Sequence, residues 1–316
     1  MRGWEGVSVA IPALTSFHYY HAGLRVRSEF PVPDWDRSER AQLFEEPDVV
    51  VKTRADIPLV DVPRVSATEY VFRIPGVGTY SVRDGREIAI SAEPGADDRE
   101  VRLFLLGTAW SAVCYQRGLL LLHAGVVQSG GGAIAFCGKS GAGKSSASAW
   151  LVGRGWRLLG DDLCRFETTH DAAIVYPSTP RLKLWREALE AMSWPAEGLE
   201  QDHFRLEKYR SSLPEIQGPT GFEPVPVRAI YLLEWGDLDL TRLTGAAALR
   251  RIVAAATYRP DLIDGMGRHA AHWERFLELA RRTTVWQFKR PRDWQAADEA
   301  MESLLVHARR ALGEGE

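Results

Sequence analysis

The segment that most constrains this chain is the run GKSGAGKS at residues 138–145. It matches the pattern G-x-x-x-x-G-K-[ST]. An apolar, strand-like run at residues 133–137 precedes it, and a helical run begins at Ser146. In that context the glycines let the backbone turn its N–H groups inward, and the following helix directs its positive end at an anion. The sequence therefore predicts a phosphate-binding loop in an α/β nucleotide-binding core.

The residue types in this loop suit a nucleoside triphosphate bound with Mg²⁺. Lys144 supplies a positive charge to the β- and γ-phosphates, and Ser145 offers a hydroxyl to the metal. We therefore predict ATP and Mg²⁺ as ligands, although the residues leave GTP and pyrophosphate open as donors. The predicted nucleotide-binding set is Gly138, Lys139, Ser140, Gly141, Ala142, Gly143, Lys144, Ser145 and Ser146.

Two adjacent carboxylates, Asp161 and Asp162, follow the next apolar run, WRLLG at residues 156–160. Ligands of open α/β sheets bind beyond the ends of strands, so the pair is expected beside the loop. One carboxylate can hold Mg²⁺ while the other accepts the proton of an attacking hydroxyl. Both aspartates are therefore candidate catalytic residues, and the residues alone leave open which one takes which role.

The stretch LLHAGVV…AIAFCGKSGAGKSSASAWLVGRGWRLLGDDL resembles the HPr kinase/phosphorylase family. That family carries a His on the strand before its P-loop and an Asp pair after the next strand. The resemblance implies that Asp162 is the general base and that His123 and Lys144 act in the active site. With the base assigned to Asp162, Asp161 and Ser145 are the residues expected to bind Mg²⁺. It also implies a P-loop core of the HPr-kinase type.

Three further segments, YHAGLRVRSEFPVPDW, PSTPRLKLW and RLEKYR, resemble a less studied HPr-kinase-like branch. That branch includes kinases encoded with lasso-peptide biosynthesis, which phosphorylate a precursor peptide. Ser146 stands where bifunctional members usually carry Glu, so the resemblance implies a kinase and leaves phosphorylase activity open. Lys183, Lys208 and Arg210 lie in these segments and are candidate phosphate or substrate contacts.

Composition excludes several other classes of function. The net charge of −3 over 316 residues gives no global electrostatic case for nucleic acid or an anionic membrane as a partner. Three widely spaced cysteines fit a reducing compartment, and no run approaches the roughly 20 apolar residues of a membrane span. The N-terminus lacks the core of a signal peptide. We expect a cytoplasmic protein, and its sequence is compatible with a homo-oligomer.

The chain divides by pattern near residue 97. Short alternating runs punctuated by turn residues such as Asp84-Gly85 make residues 1–97 β-rich. A helix is predicted over about 99–116, with Asp97 or Asp98 as its N-cap, and strands are predicted over 229–234 and 284–288. We expect a smaller N-terminal domain over 1–97, with a role in presenting the substrate, and an HPr-kinase-like catalytic domain over 98–316. Residues 181–192 are predicted to be helical in part, and the Pro- and Gly-rich residues 211–226 to form a mobile loop.

Three functions are compatible with these residues. The first is a kinase that transfers the γ-phosphoryl group of ATP to a Ser or Thr hydroxyl of a peptide or protein, such as a lasso-type precursor. The second is a nucleotide-bound regulator without transfer activity, against which the Asp pair argues. The third is a small-molecule kinase or a nucleotidyl transferase on the same scaffold.

Overall fold

The predicted α/β fold class is confirmed by the computed structural model, in which helices cover two large β-sheets and a third, smaller sheet lies beside them. Among the described residues, no helix combines the length and the apolar character that crossing a membrane requires. The described residues are 16–33, 35, 46–178, 181–194, 199–203, 206–212 and 223–314.

The first sheet contains seven strands in the order β1-β2-β3-β7-β6-β5-β4. Its hairpins follow the predicted turns: Asp84 and Gly85 have φ values of 52° and 61°, which the tight turn between β6 and β7 requires. The strands are β1 (Phe17–His21), β2 (Leu24–Ser28), β3 (Val49–Thr53), β4 (Arg64–Val65), β5 (Glu69–Ile74), β6 (Gly78–Arg83) and β7 (Glu87–Ala92).

The predicted long helix forms in three parts: α1 (Asp98–Phe104), a π-helical turn (Leu105–Ala109) and α2 (Trp110–Gln116). Of the two predicted N-cap residues, Asp97 caps it by accepting a hydrogen bond of 2.8 Å from the Arg99 amide. The helix packs on the first sheet and shares one hydrophobic core with it. Residues on both sides of position 97 therefore contribute to that core, and the proposed division of roles between 1–97 and 98–316 stays a prediction.

The second sheet contains eight strands, of which β9, β16 and β18 run parallel to one another. β8 is antiparallel to β9 on one edge and to both β10 and β11 on the other. The remaining strands of the chain are β8 (Leu120–Ser129), β9 (Gly132–Cys137), β10 (Arg157–Gly160), β11 (Leu163–Thr168), β12 (Ala173–Val175), β13 (Arg181–Trp185), β14 (Glu200–His203), β15 (Leu206–Ser212), β16 (Val225–Trp235), β17 (Asp239–Leu243) and β18 (Thr284–Arg290).

Helices cover both faces of this second sheet. Side chains of β9 alternate between the faces: Ile134 and Phe136 join one core, and Ala135 and Cys137 join the other. The first core includes residues of α3 and α8, and the second includes residues of α5 and α7. The remaining helices are α3 (Lys144–Val152), α4 (Arg186–Ala191), α5 (Gly245–Ala256), α6 (Pro260–Gly265), α7 (His269–Arg282) and α8 (Trp294–Leu312).

Residues 181–192, which were predicted to be helical in part, form a strand of the third sheet followed by a helix. Only the second half is helical, as α4, whereas the first half is strand β13, paired with β15. Leu182 and Leu184 are buried on one face of β13, so the apolar spacing is two residues, as a strand requires. Of the predicted mobile loop at 211–226, residues 213–222 lie outside the described residues.

Candidate active site

Three parallel strands end at one edge of the second sheet. β9 ends at Cys137, directly before the predicted loop, while β16 ends at Trp235 and β18 at Arg290. The carboxyl ends of parallel strands are where open α/β sheets bind ligands. The loop, the indole of Trp235 and the guanidinium of Arg290 therefore share one edge, although they lie far apart in the sequence.

The predicted loop has the backbone conformation that its glycines allow. Gly143 has a φ of 82° directly before α3, and a Cβ at this position would lie 2.2 Å from Nη2 of Arg290. An alanine there would meet both a strained φ and a steric clash. Within the loop, the Ala142 amide donates to the Lys139 carbonyl over 3.0 Å and closes a turn. The loop is thus preformed before the first residue of the helix.

Lys144 is buried with 7% of its surface exposed. Its Nζ atom donates to the carbonyl oxygens of Gly138, at 2.9 Å, and Lys139, at 3.4 Å. The ammonium group is therefore held against the loop that the sequence assigns to the phosphates. A phosphate oxygen would be a stronger, charged acceptor for the same donor.

Two residues that the sequence analysis missed support this loop. The Trp235 indole donates to the Gly141 carbonyl over 3.1 Å, and Arg290 donates to the Gly143 carbonyl over 3.3 Å. The Arg290 guanidinium lies 4.5 Å from the Trp235 ring centroid. Burial lowers the pKa of Arg290 to about 10, so it remains a cation at neutral pH. The only sequence signal was the position of each residue at the end of an apolar strand.

Asp161 lies next to the first residues of α3. The Ser145 hydroxyl donates to Asp161 at 3.1 Å and 2.9 Å from its two carboxylate oxygens. The backbone amide of Lys183, on β13, donates to the same carboxylate over 3.2 Å. A hydroxyl and a carboxylate this close supply two of the oxygen ligands that Mg²⁺ prefers. The residues present therefore fit the predicted metal.

A magnesium ion held there would need ligands beyond these two side chains. Among the described residues no group of three or more His, Cys, Asp or Glu side chains is arranged to hold a metal. Mg²⁺ in nucleotide sites is usually bound by one or two carboxylates together with phosphate oxygens and water. The pair formed by Ser145 and Asp161 matches that mode of binding.

Asp162 occupies a break between two strands. β10 ends at Gly160 and β11 begins at Leu163, and both strands pair with β8. The aspartate pair therefore interrupts two strands that run along the same neighbour. Asp162 has a φ of 81°, a conformation that costs a non-glycine residue on the order of 1–3 kcal/mol. Its carbonyl accepts the amide of Ala124 over 3.2 Å, which fixes this bulge against β8.

The Asp162 carboxylate contacts two predicted site residues. Lys183 Nζ donates to Oδ2 over 2.8 Å, and His123 Nε2 lies 3.4 Å from Oδ1. His123 is on β8, opposite Leu163 in register, and its ring packs edge-on against Tyr258 with centroids 5.8 Å apart. Burial and the nearby Asp162 charge both raise the pKa of the Tyr258 hydroxyl. A cation, an imidazole and a protonated phenol therefore surround this aspartate.

Most of the predicted site residues line one cavity of about 640 Å³. They include His123, residues of the loop from Ser140 to Ser146, both aspartates and Lys183; Gly138, Lys139 and Ala142 belong to the loop but not to the lining. Lys208 and Arg210 lie on β15, opposite Trp185 and Lys183 of β13, but their side chains are outside what the structure describes. Arg186 and Arg292 also line this cavity and were not predicted.

Comparisons with known proteins found one solved structure of low similarity. No protein-family model matches the sequence, and no curated protein is significantly similar to it. A solved structure, the Hpr(Ser) kinase/phosphatase from Coxiella burnetii, is similar at 14% sequence identity and a TM-score of 0.33. The match covers 62% of this chain and 99% of that chain. At this level of similarity, the chemistry of the site is interpreted from its own geometry.

Proposed function

We propose that this chain is an ATP-dependent kinase that transfers the γ-phosphoryl group to the hydroxyl of a Ser or Thr residue in a peptide or protein. The observation that supports it best is the position of Asp162. Its carboxylate faces the cavity of the phosphate-binding loop but is separate from the pair formed by Ser145 and Asp161. A site that only bound a nucleotide would not need a second carboxylate aimed at an acceptor.

The residues divide the work of transfer among them. Loop amides and Lys144 would bind and orient the phosphates, and Mg²⁺ at Ser145 and Asp161 would neutralise part of their charge. The bond from the γ-phosphorus to the bridging oxygen of ADP breaks as a bond from the acceptor oxygen forms. The proton of the acceptor hydroxyl passes to Asp162.

Lys183 and His123 would act on Asp162 and on the transferred group. A carboxylate has about four lone-pair sites, and Lys183 and His123 each lie against a different oxygen of Asp162. The Lys183 ammonium, 2.8 Å from Asp162, holds the carboxylate in place and puts a positive charge where the phosphoryl group would pass. His123 limits the rotation of the same carboxylate from the other side.

The nature of the acceptor is the finer part of this proposal. A precursor peptide of the lasso type is suggested by the sequence resemblance of the segments that contain Pro31, Lys183 and Lys208. Incubating the purified protein with Mg²⁺-ATP and a synthetic precursor peptide, followed by mass spectrometry, tests this part alone. Phosphorylation of a non-peptide alcohol but of no peptide would favour the small-molecule kinase.

Asp162→Asn tests the transfer mechanism. Asn keeps the shape of the side chain and tolerates a positive φ, but it cannot take up a proton near neutral pH. We expect the rate of γ-phosphoryl loss from ATP, to acceptor or water, to fall by about 10² to 10⁴. Mg²⁺-ATP affinity, measured by calorimetric titration, should change far less because the loop is untouched.

Asp171→Asn is the matched control, because Asp171 is an exposed aspartate in the turn between β11 and β12. It should keep the wild-type rate and affinity. If Asp162→Asn also turned over at the wild-type rate, the kinase would lose its base. A nucleotide-bound regulator would be favoured if the wild-type protein bound Mg²⁺-ATP without consuming it.

A further inference from the structure

A second cavity lies on the other side of Asp162 from the phosphate-binding loop. Its volume is about 300 Å³, and Asp161, Asp162 and Lys183 line both cavities. Of these two cavities, the first alone is lined by residues of the loop at 138–146. The carboxylate proposed as the base therefore faces two spaces, and only one of them is lined by the phosphate-binding loop.

The walls of the second cavity are mainly apolar. Leu103, Leu106 and Gly107 come from α1 and the π-helical turn, and Tyr258 comes from the segment before α6. His21, at the end of β1, adds a wall from the N-terminal sheet. The first cavity, which we call the nucleotide cavity after the proposed function, is in contrast lined by Lys144, by arginines and by the hydroxyls of the loop.

The π-helical turn shapes this cavity. Gly107 lies in the turn, and a Cβ at this position would come within 3.3 Å of the Tyr258 hydroxyl oxygen. The absence of a side chain at Gly107 therefore leaves room beside Tyr258. Single π-helical turns of this kind occur frequently at functional sites, because the extra residue displaces neighbouring side chains from the regular helical positions.

The His21 wall carries no charge at neutral pH. The imidazole packs between Trp35 and Trp110, with ring centroids 5.2 Å and 5.0 Å away. Burial lowers the pKa of His21 to about 3, so the neutral form persists. Two cations, Arg181 and Lys183, line this cavity, and both come from β13. Lys183 is the residue that forms the ion pair with Asp162.

We propose that this second cavity, the acceptor pocket, binds an apolar group of the acceptor and directs the adjacent hydroxyl at Asp162. The inference rests on the proposed function. Attack on the γ-phosphorus comes roughly in line with the leaving oxygen, so the acceptor approaches from the side away from the phosphates. A volume of 300 Å³ is at the small end of ligand sites, which suits one hydroxyl-bearing unit with an apolar neighbour.

A series of small alcohols tests the pocket without knowledge of the natural acceptor. Wild-type protein is incubated with Mg²⁺-ATP and either methanol, 1-butanol or 2-phenylethanol at equal concentration. The ratio of alkyl phosphate to inorganic phosphate should rise with apolar size, by up to about fourfold for each buried methylene. ATP consumption with a flat ratio across the series would overturn the acceptor pocket but leave the kinase standing.

A variant that fills the pocket locates the effect. Leu106→Trp should lower the ratio for 2-phenylethanol by about tenfold, whereas the ratio for methanol, which needs little room in the pocket, should fall far less. Leu59→Trp is the matched control, because Leu59 is 75% exposed and lies outside both cavities. Gly107→Ala, which presses on the Tyr258 hydroxyl, provides a smaller change of the same sign if Leu106→Trp does not fold.

The outcomes distinguish the two proposals. Wild-type discrimination that survives both Leu106→Trp and Gly107→Ala in folded protein would overturn the placement of the acceptor. A wild-type protein that consumes no ATP with water or with any alcohol would overturn the kinase, and the acceptor pocket with it. Loss of discrimination between large and small alcohols in the pocket variants, with Leu59→Trp behaving like wild type, is the result expected from the structure.

Discussion

The two cavities that meet at Asp162 are built in different ways. The phosphate-binding side of the nucleotide cavity is formed by consecutive residues, the loop that leads from β9 into α3, and two strand ends support that loop; its other walls come from distant segments such as residues 183–188. The acceptor pocket is assembled from His21, from residues 103–108 and from Tyr258, which are widely separated in the chain. A phosphate is bound by backbone amides that one short segment can supply, whereas an apolar group is bound by shape, to which any nearby element can contribute.

The nucleotide cavity and the acceptor pocket meet at the break between β10 and β11. Asp161 turns toward Ser145 and the loop, while Asp162 contacts Lys183 and His123. Two neighbouring residues thus contact different groups of one site, because the bulge at Asp162 prevents a regular strand. Changes on the two sides should therefore have separable effects on binding and on transfer.

Lys144→Ala should have the largest effect of the changes on the nucleotide side. It removes the loop's buried cation, so both Mg²⁺-ATP affinity and turnover should fall, turnover by about 10³-fold. Calorimetric titration and a phosphate-release assay measure the two effects. Lys52→Ala, which removes a lysine of β3 that lines neither cavity, is the control and should stay close to wild type. Unchanged affinity and turnover in Lys144→Ala would contradict the assignment of the phosphate-binding loop.

Asp161→Asn should sharpen the difference between the two aspartates. If Asp161 is the metal-side carboxylate, the Mg²⁺ concentration at half-maximal turnover should rise by about 10- to 100-fold, in the range for perturbed metal sites. Asp162→Asn is the contrast, and its residual turnover should need no more Mg²⁺ than wild type does. A raised Mg²⁺ requirement in Asp162→Asn alone would mean that the two roles are exchanged.

His21→Phe has the smallest expected effect, and it tests whether the His21 wall of the acceptor pocket is neutral by measuring the pH dependence of the unfolding free energy. Because burial lowers the pKa of His21 to about 3, only the unfolded chain binds its proton between roughly pH 6.5 and pH 3. The stability from the neutral imidazole is complete above pH 6.5 and is lost as the pH falls. At pH 5 this should cost wild type about 2 kcal/mol of unfolding free energy relative to pH 7.5.

Urea denaturation at the two pH values measures this difference. His272, whose pKa burial lowers to about 4, adds a loss of the same sign in both proteins. The decrease between pH 7.5 and pH 5 should therefore be smaller in His21→Phe than in wild type by about 2 kcal/mol. His170→Phe is the control, because the His170 side chain is 94% exposed. An equal decrease in all three proteins would show that His21 does not stay neutral in the folded chain.

The sequence determined the features that depend on neighbouring residues. The loop at 138–145, the helix cap at Asp97 and the turn at Asp84 and Gly85 each need only a few consecutive residues, so their patterns identified them. The strands β9, β16 and β18 were predicted for the same reason, since their apolar runs are continuous. The roles predicted for His123, Lys144 and the two aspartates remain predictions, although the structure brings these residues together.

Tertiary structure decided what depends on register and on contacts between distant segments. The apolar run at residues 156–160 predicted a strand that ends at the aspartates, but pairing of both β10 and β11 with β8 made them a bulge within a longer edge. Pairing of β13 with β15 made residues 181–185 a strand and placed Lys183 on Asp162. Arg290, Trp235 and the acceptor pocket had no local pattern, because their neighbours come from other parts of the chain.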